Sequence, residues 1–153
     1  MIRTESEYQE AAKRLKEQAE RMKAQEQELK GMDLSKEEIR RGMAPVRSFH
    51  EQLKAEVETY ARLKRGRFSD LHNFDGVSEL LIGLRIARGL SQRDLADRLG
   101  VHETQVSRDE RNEYHGITVE RLKKILEALE VEMVTKVDLR RKSRSSVKAN
   151  ASV

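Results

Sequence analysis

The sequence predicts an all-α protein: an N-terminal helical hairpin, then four or five short helices, with a short strand near the C-terminus. Three observations predict it. Apolar residues recur in steps of three, four and seven through the first 64 residues. Only one proline and eight glycines interrupt the 153 residues. Charged residues make up 38% and aromatics 4%, which suits long surface helices burying narrow stripes rather than one large core.

The first predicted helix covers residues 6–30. Tyr8, Leu15, Met22 and Leu29 recur every seven residues, with Ala12 and Ala19 between them and Glu26 breaking the last interval. Gly31 is a natural stop. The second helix starts at a capping box, Ser35 with Glu38. Its stripe is Ile39, Met43, Val46, Phe49, Leu53, Val57, Tyr60 and Leu63. Pro45 is expected to kink or split it. Taken whole, it spans about 45 Å at 1.5 Å per residue. Residues 1–65 therefore read as a helical hairpin, coiled-coil-like in pattern. Neither stripe is wide enough to be stable alone. A second copy of the chain is expected to cover it, with Leu15, Met22, Leu29, Ile39, Phe49, Leu53, Val57 and Tyr60 as the dimerisation positions. Folding back onto the C-terminal domain is the alternative.

Residues 66–77 read as a linker, with Phe68, Leu71 and Phe74 pinning it to a neighbour. Residues 78–130 read as a domain of short helices. The first, 78–88, turns Leu80, Leu81, Leu84 and Ile86 inward. The second, 91–99, buries Leu95, Ala96 and Leu99. The third, 102–111, is anchored by Val106. A fourth is capped by Thr118 and carries Val119, Leu122, Ile125, Leu126 and Leu129. Residues 131–139 alternate Val131, Met133, Thr135, Val137 and Leu139, the period of a strand. Residues 140–153 are basic and serine-rich, and disorder is expected.

Several function classes are set aside. With no cysteine there is no disulfide framework or thiolate metal site. The four histidines are dispersed, and neither a metal nor another cofactor is expected. No nucleophile–base arrangement or phosphate-cradling glycine loop is evident, so an enzyme is not expected. No apolar run approaches the roughly 20 residues needed to span a bilayer, and Met1-Ile2-Arg3-Thr4-Glu5 is no secretory leader. A cytoplasmic protein is expected. The net charge is +4, but residues 78–130 carry 9 Lys/Arg against 10 Asp/Glu, while 131–153 carry 6 against 2. Bulk charge therefore says little about the helical domain, and pattern must decide.

The decisive stretch runs from Gly89 to Asn112: GLSQRDLADRLGVHETQVSRDERN. Ser91 caps a short helix that ends at Gly100, where a left-handed turn costs little. Val101 plugs the turn and the next helix starts at once. Two short helices joined this tightly cross steeply, and the second projects polar residues outward. Such a helix fits a DNA major groove.

The segment resembles the Xre family, the helix-turn-helix of lambdoid phage repressors. Leu90-Ser91-Gln92, Leu95-Ala96, Leu99-Gly100-Val101, Val106-Ser107-Arg108 and Glu110-Arg111 carry the resemblance, over about residues 78–130. It implies a transcriptional regulator partnered by double-stranded DNA and nucleoid-associated when bound. A dimeric repressor on a two-fold operator is expected. It implies DNA contacts from Gln92, which also braces the third helix, and from His102, Glu103, Thr104, Gln105, Ser107, Arg108, Arg111 and Asn112. Tyr114 is placed at the DNA backbone, with loop filling as the alternative. Arg85 and Glu110 are implied to form a structural ion pair. Asp109 departs from the pattern, standing where the family usually has an apolar residue. The alternatives are an antitoxin that represses its own operon and binds a toxin, and a protein-interaction module that does not touch DNA.

Overall fold

The two long helices begin by the same device. In each, a side-chain hydroxyl accepts from the backbone N–H three residues on, and a glutamate at that position accepts from the cap's own N–H. Thr4 and Glu7 form one such box, with bonds of 3.2 Å each way. Ser35 and Glu38 form the other, at 3.3 and 2.9 Å. These boxes satisfy N–H groups that the helix cannot. The bonds from Ser35 also hold the Glu38 carboxyl below its ordinary range. The computed structural model describes residues 1–138. The two helices, α1 (Glu5–Lys30) and α2 (Lys36–Lys64), lie antiparallel. Lys64 meets Glu5 at 2.9 Å at one end, and Arg47 meets Glu26 at 3.4 Å toward the other.

The two apolar stripes cover each other. Ala11, Ile39, Met43 and Tyr60 are buried, and Leu15, Met22, Leu29, Leu53 and Val57 are half-buried. This changes the expectation for the dimerisation positions. Ile39 and Tyr60 are already covered within the chain. The others are partly covered, save Phe49, which is 71% exposed. A short turn brings the partner stripe within reach inside the same chain, so the hairpin closes on itself first. Pro45 does not split α2, which runs unbroken through it. Pro45 and Arg41 both lie on the exposed side, where water can satisfy the carbonyl that proline deprives of a donor.

Four short helices follow: α3 (Val77–Ala87), α4 (Gln92–Leu99), α5 (Glu103–Arg111) and α6 (Val119–Ala128). Leu81, Ile82, Leu95, Ala96, Val106, Ile125 and Leu129 form their core, each no more than 1% exposed. The core does not stop at the domain edge. Ile2, Ala11, Tyr60 and Leu63 belong to the same cluster. Leu63 packs directly on α3, where a Cβ placed on Gly83 would lie 2.7 Å from Leu63 Cδ2 and 3.0 Å from Phe68 Cε1. Gly83 is thus the notch that admits the arm. Arg62 reinforces the junction with a 2.6 Å bond to Glu79. Tyr8 stacks on Tyr60 with centroids 4.7 Å apart, and the Tyr60 hydroxyl donates to Glu5 at 3.2 Å. Burial, followed by that bond, pushes the Tyr60 phenol up to about 12.

Other expectations change as well. Phe68 and Leu71 turn toward neighbours, but Phe74 is 52% exposed. Val119, expected in the α6 stripe, is 69% exposed because it follows the cap directly and precedes the first inward turn. Residues 131–138 form no strand. An extended segment needs a neighbouring ladder, and none lies beside it among the described residues. Leu139 and the basic stretch 140–153 lie outside the described residues. No helix among those described is long and apolar enough to cross a membrane.

At the centre sits a buried ion pair. The Arg85 side chain is 2% exposed and that of Glu110 0%. Arg85 Nε donates to Glu110 Oε1, and Nη2 donates to Oε2 at 2.7 Å. The same guanidinium donates to the Leu90 carbonyl at 2.8 Å and to the Arg3 carbonyl at 2.9 Å. Gln92 Nε2 donates to Glu110 at 2.7 Å. One pair therefore ties α3, α5, the α3–α4 turn and the chain's first residues.

Three outcomes follow from this packing. Glu110→Ala leaves a guanidinium buried without its counter-charge, so urea denaturation should show a loss of about 3–5 kcal/mol. Gly83→Ala forces Leu63 and Phe68 back and should lose about 1–3 kcal/mol, most of it recovered by adding Leu63→Ala. Tyr60 carries a proton more tightly when folded than when unfolded. Its contribution is whole below the unfolded value near 10 and is lost as pH rises toward about 12. The melting temperature should fall across that window, and fall less in Tyr60→Phe.

Candidate nucleic-acid interface

The turn between α4 and α5 is set by Gly100, at φ 65° and ψ 34°. A side chain there would crowd the following carbonyl. The Val101 N–H returns to the Ala96 carbonyl at 3.0 Å and closes the end of α4. Ser91 starts α4 with another reciprocal box, this time with Asp94 at 2.8 and 3.1 Å. The bonds from Ser91 hold the Asp94 carboxyl below its ordinary range. Leu95 and Ala96 of α4 and Val106 of α5 close the angle between the helices.

Helix α5 then has two faces. Val106 and Glu110 point inward, with Ser107 and Asp109 half-buried beside them. Thr104, Gln105, Arg108, Arg111 and Asn112 are exposed on the opposite side, following helical steps of three and four. This outward strip carries two guanidiniums and neutral hydrogen-bonding groups. Arg111 Nη2 donates to Ser107 Oγ at 3.3 Å, while the Arg108 guanidinium makes no hydrogen bond to another of the described residues. Glu103 lies exposed in the first turn, where the helix dipole favours a carboxylate.

His102 has a structural task. It is the cap of α5, and its Nδ1 accepts from the Thr104 N–H at 3.3 Å and lies 3.0 Å from Thr104 Oγ1. The opposite edge of the ring remains on the exposed side. Gln92 is half-buried and its amide donates to Glu110. It braces α5 through the buried pair with one of the two N–H groups of its amide.

Tyr114 does not lie on this surface. It is 6% exposed, in a turn where its own φ is 50°, and its N–H reaches the Asp109 carbonyl at 2.8 Å. Burial pushes its phenol well above the usual tyrosine range. Positive φ angles at Glu113 and Tyr114 turn the chain there, and the ring joins the buried apolar core. Of the two roles weighed for it, loop filling is the one this geometry matches.

Asp109 finds its explanation in Arg121, whose Nη2 donates to Oδ2 at 3.2 Å. An ion pair between α5 and α6 replaces the apolar contact expected there. No local spacing signals that pair, because the partners are twelve residues apart across a turn. The Arg3 carbonyl on Arg85 was equally unreadable, being eighty-two residues away.

The helix-turn-helix family model matches residues 82–135, about a third of the chain. No curated protein and no solved structure matches the chain. The matched span takes in most of α3, all of α4, α5 and α6, and a few residues after them. Residues 82–135 are a helix-turn-helix of the Xre, lambda repressor-like family, a DNA-binding regulator fold.

Proposed function

We propose that the chain is a sequence-specific transcriptional regulator, a dimeric repressor that lays α5 in the major groove of a two-fold operator. The observation that carries this reading is the outward strip of α5. It is rigid, because Val106 and the buried Glu110 fix its back. It is rich in donors, because Arg108 and Arg111 stand one turn apart.

In this reading Arg108 donates a bidentate pair to guanine, the Thr104 methyl meets a thymine methyl, and Glu103 accepts from cytosine. Gln105 and Asn112 flank them with amide groups. Arg111 neutralises a phosphate and positions the helix without reading sequence. Ser107, half-buried, orients Arg111. His102 offers its free ring edge beside the helix start. Tyr114 takes no part. The near-neutral charge of residues 78–130 makes these few contacts more decisive, since little bulk attraction assists them.

Selection from random duplex DNA should yield a common sequence, two-fold if the dimer binds. Equal binding to every duplex would overturn the reading. On the selected site, Arg108→Ala should weaken binding by about 1–3 kcal/mol and relax specificity at one base pair. Arg111→Ala should weaken all sequences alike and flatten the log–log salt dependence by about 0.9. Both side chains are exposed, so melting temperatures should not move.

A further inference from the structure

After α6 the chain turns at Glu130, with φ 55°, and then runs from Val131 to Asp138 without helix, turn or bend. Val131 and Met133 are half-buried against the core, while Glu132 and Val134 are exposed. That alternation is the side-chain pattern of a strand. Yet residues 132–138 share no backbone hydrogen bond with another described residue. Val134 and Val137 are 79% and 83% exposed, more than any other large apolar side chain described. A bare edge carrying exposed valines is a template for a further strand.

There is room for one. A groove of about 710 Å³ separates Met133–Asp138 from Leu71, Phe74 and Leu80. Phe74 stands 52% exposed beside it. The described residues hold no strand of their own to fill it.

The residues of the segment select the strand that fits. Two copies related by a two-fold axis pair antiparallel, and the residue on the axis meets its own copy. Side chains opposite each other share a face, so each choice of axis fixes every pair. With the axis at Val134, Glu132 faces the partner's Lys136 on either side of a Val134–Val134 contact. Val137 faces the partner's Val131, a position that packs against the core. The nearest ion pair along the chain joins Arg98 to Glu130, and neither Glu132 nor Lys136 has an ionic partner among the described residues.

Neighbouring axes fit worse. At Thr135, Glu132 faces Asp138, and at Lys136 two lysines meet. At Met133, Val137 falls opposite Leu129, which is buried at the end of α6 and offers no strand. Two strands alone are marginal in water, but here each is backed by a folded core through Val131 and Met133.

We infer that Val131–Val137 is a homodimer interface, an antiparallel ladder between two copies of the chain with its axis at Val134. The proposed regulator reading supplies the purpose of this dimer, and its test does not depend on that reading.

The chain has no cysteine, so introduced cysteines report contacts directly. Under mild oxidation Val134→Cys should give a disulfide-linked dimer in non-reducing gels. Glu132→Cys and Lys136→Cys should each stay single chains, and a mixture of the two should cross-link. Phe49→Cys, on the exposed side of α2, should also stay single. In parallel, Val134→Pro removes an N–H from the ladder and should halve the mass found by light scattering, with helical circular dichroism unchanged. Glu132→Lys and Lys136→Glu each set like charges opposite twice, and each should weaken the dimer roughly tenfold. The double variant should restore it. A wild-type monomer at tens of micromolar, an unchanged mass for Val134→Pro, cross-linking at Phe49 instead of Val134, or no recovery in the double variant would overturn the inference. If the dimer forms as described but binds DNA without selectivity, the regulator reading fails and the interface stands. If the wild type is a monomer that selects one DNA sequence, the interface fails and sequence-specific binding stands.

Discussion

The buried pair of Arg85 and Glu110 is the constraint around which the head is organised. An ion pair with both members this deeply buried is tolerable only if every donor and lone pair is engaged. Here the guanidinium has four acceptor contacts, and Gln92 adds a donor to the carboxylate. Those partners come from α3, α4, α5, the turn after α3 and the chain's start. None of these elements can shift without stranding a charge. The back of α5 is thereby fixed in angle and rotation, and rotation decides which side chains α5 turns toward solvent.

The same pair joins the arm to the head. Arg3 precedes α1, and its carbonyl is held by a residue of α3. Ile2 enters the shared core, Leu63 fills the notch at Gly83, and Arg62 bonds Glu79. The long hairpin is therefore seated on the helix-turn-helix by apolar burial, an ion pair and a buried carbonyl contact. A lever seated in this way transmits the geometry of whatever its far surface binds.

Much of this was legible along the chain because it depends on near neighbours. Capping at Ser35, Ser91 and Thr118, the stops at Gly31, Gly89 and Gly100, and the helical period of each stripe all involve residues within one turn. The family likeness rests on the same local signals, since Leu95, Ala96, Gly100 and Val106 specify one steep corner. Where expectation and structure part, a longer-range effect intervened. Val119 fits the α6 period but falls before the helix meets the core. Tyr114 sits in a polar loop, yet positive φ angles at Glu113 and Tyr114 turn its ring inward. Asp109 breaks an apolar pattern and is matched by Arg121 from another helix.

Periodicity and capping specified six helices, their approximate ends and the polar strip on α5, because those properties are settled by contacts three or four residues apart. Folding in three dimensions settled how the stripes were spent. The hairpin satisfied most of its apolar surface within one chain, leaving Phe49 outside, because an intramolecular partner is reached with far less loss of entropy than a second molecule. It also settled which charges were buried, since Arg85 and Glu110 look like any surface residues until α3 and α5 are brought face to face.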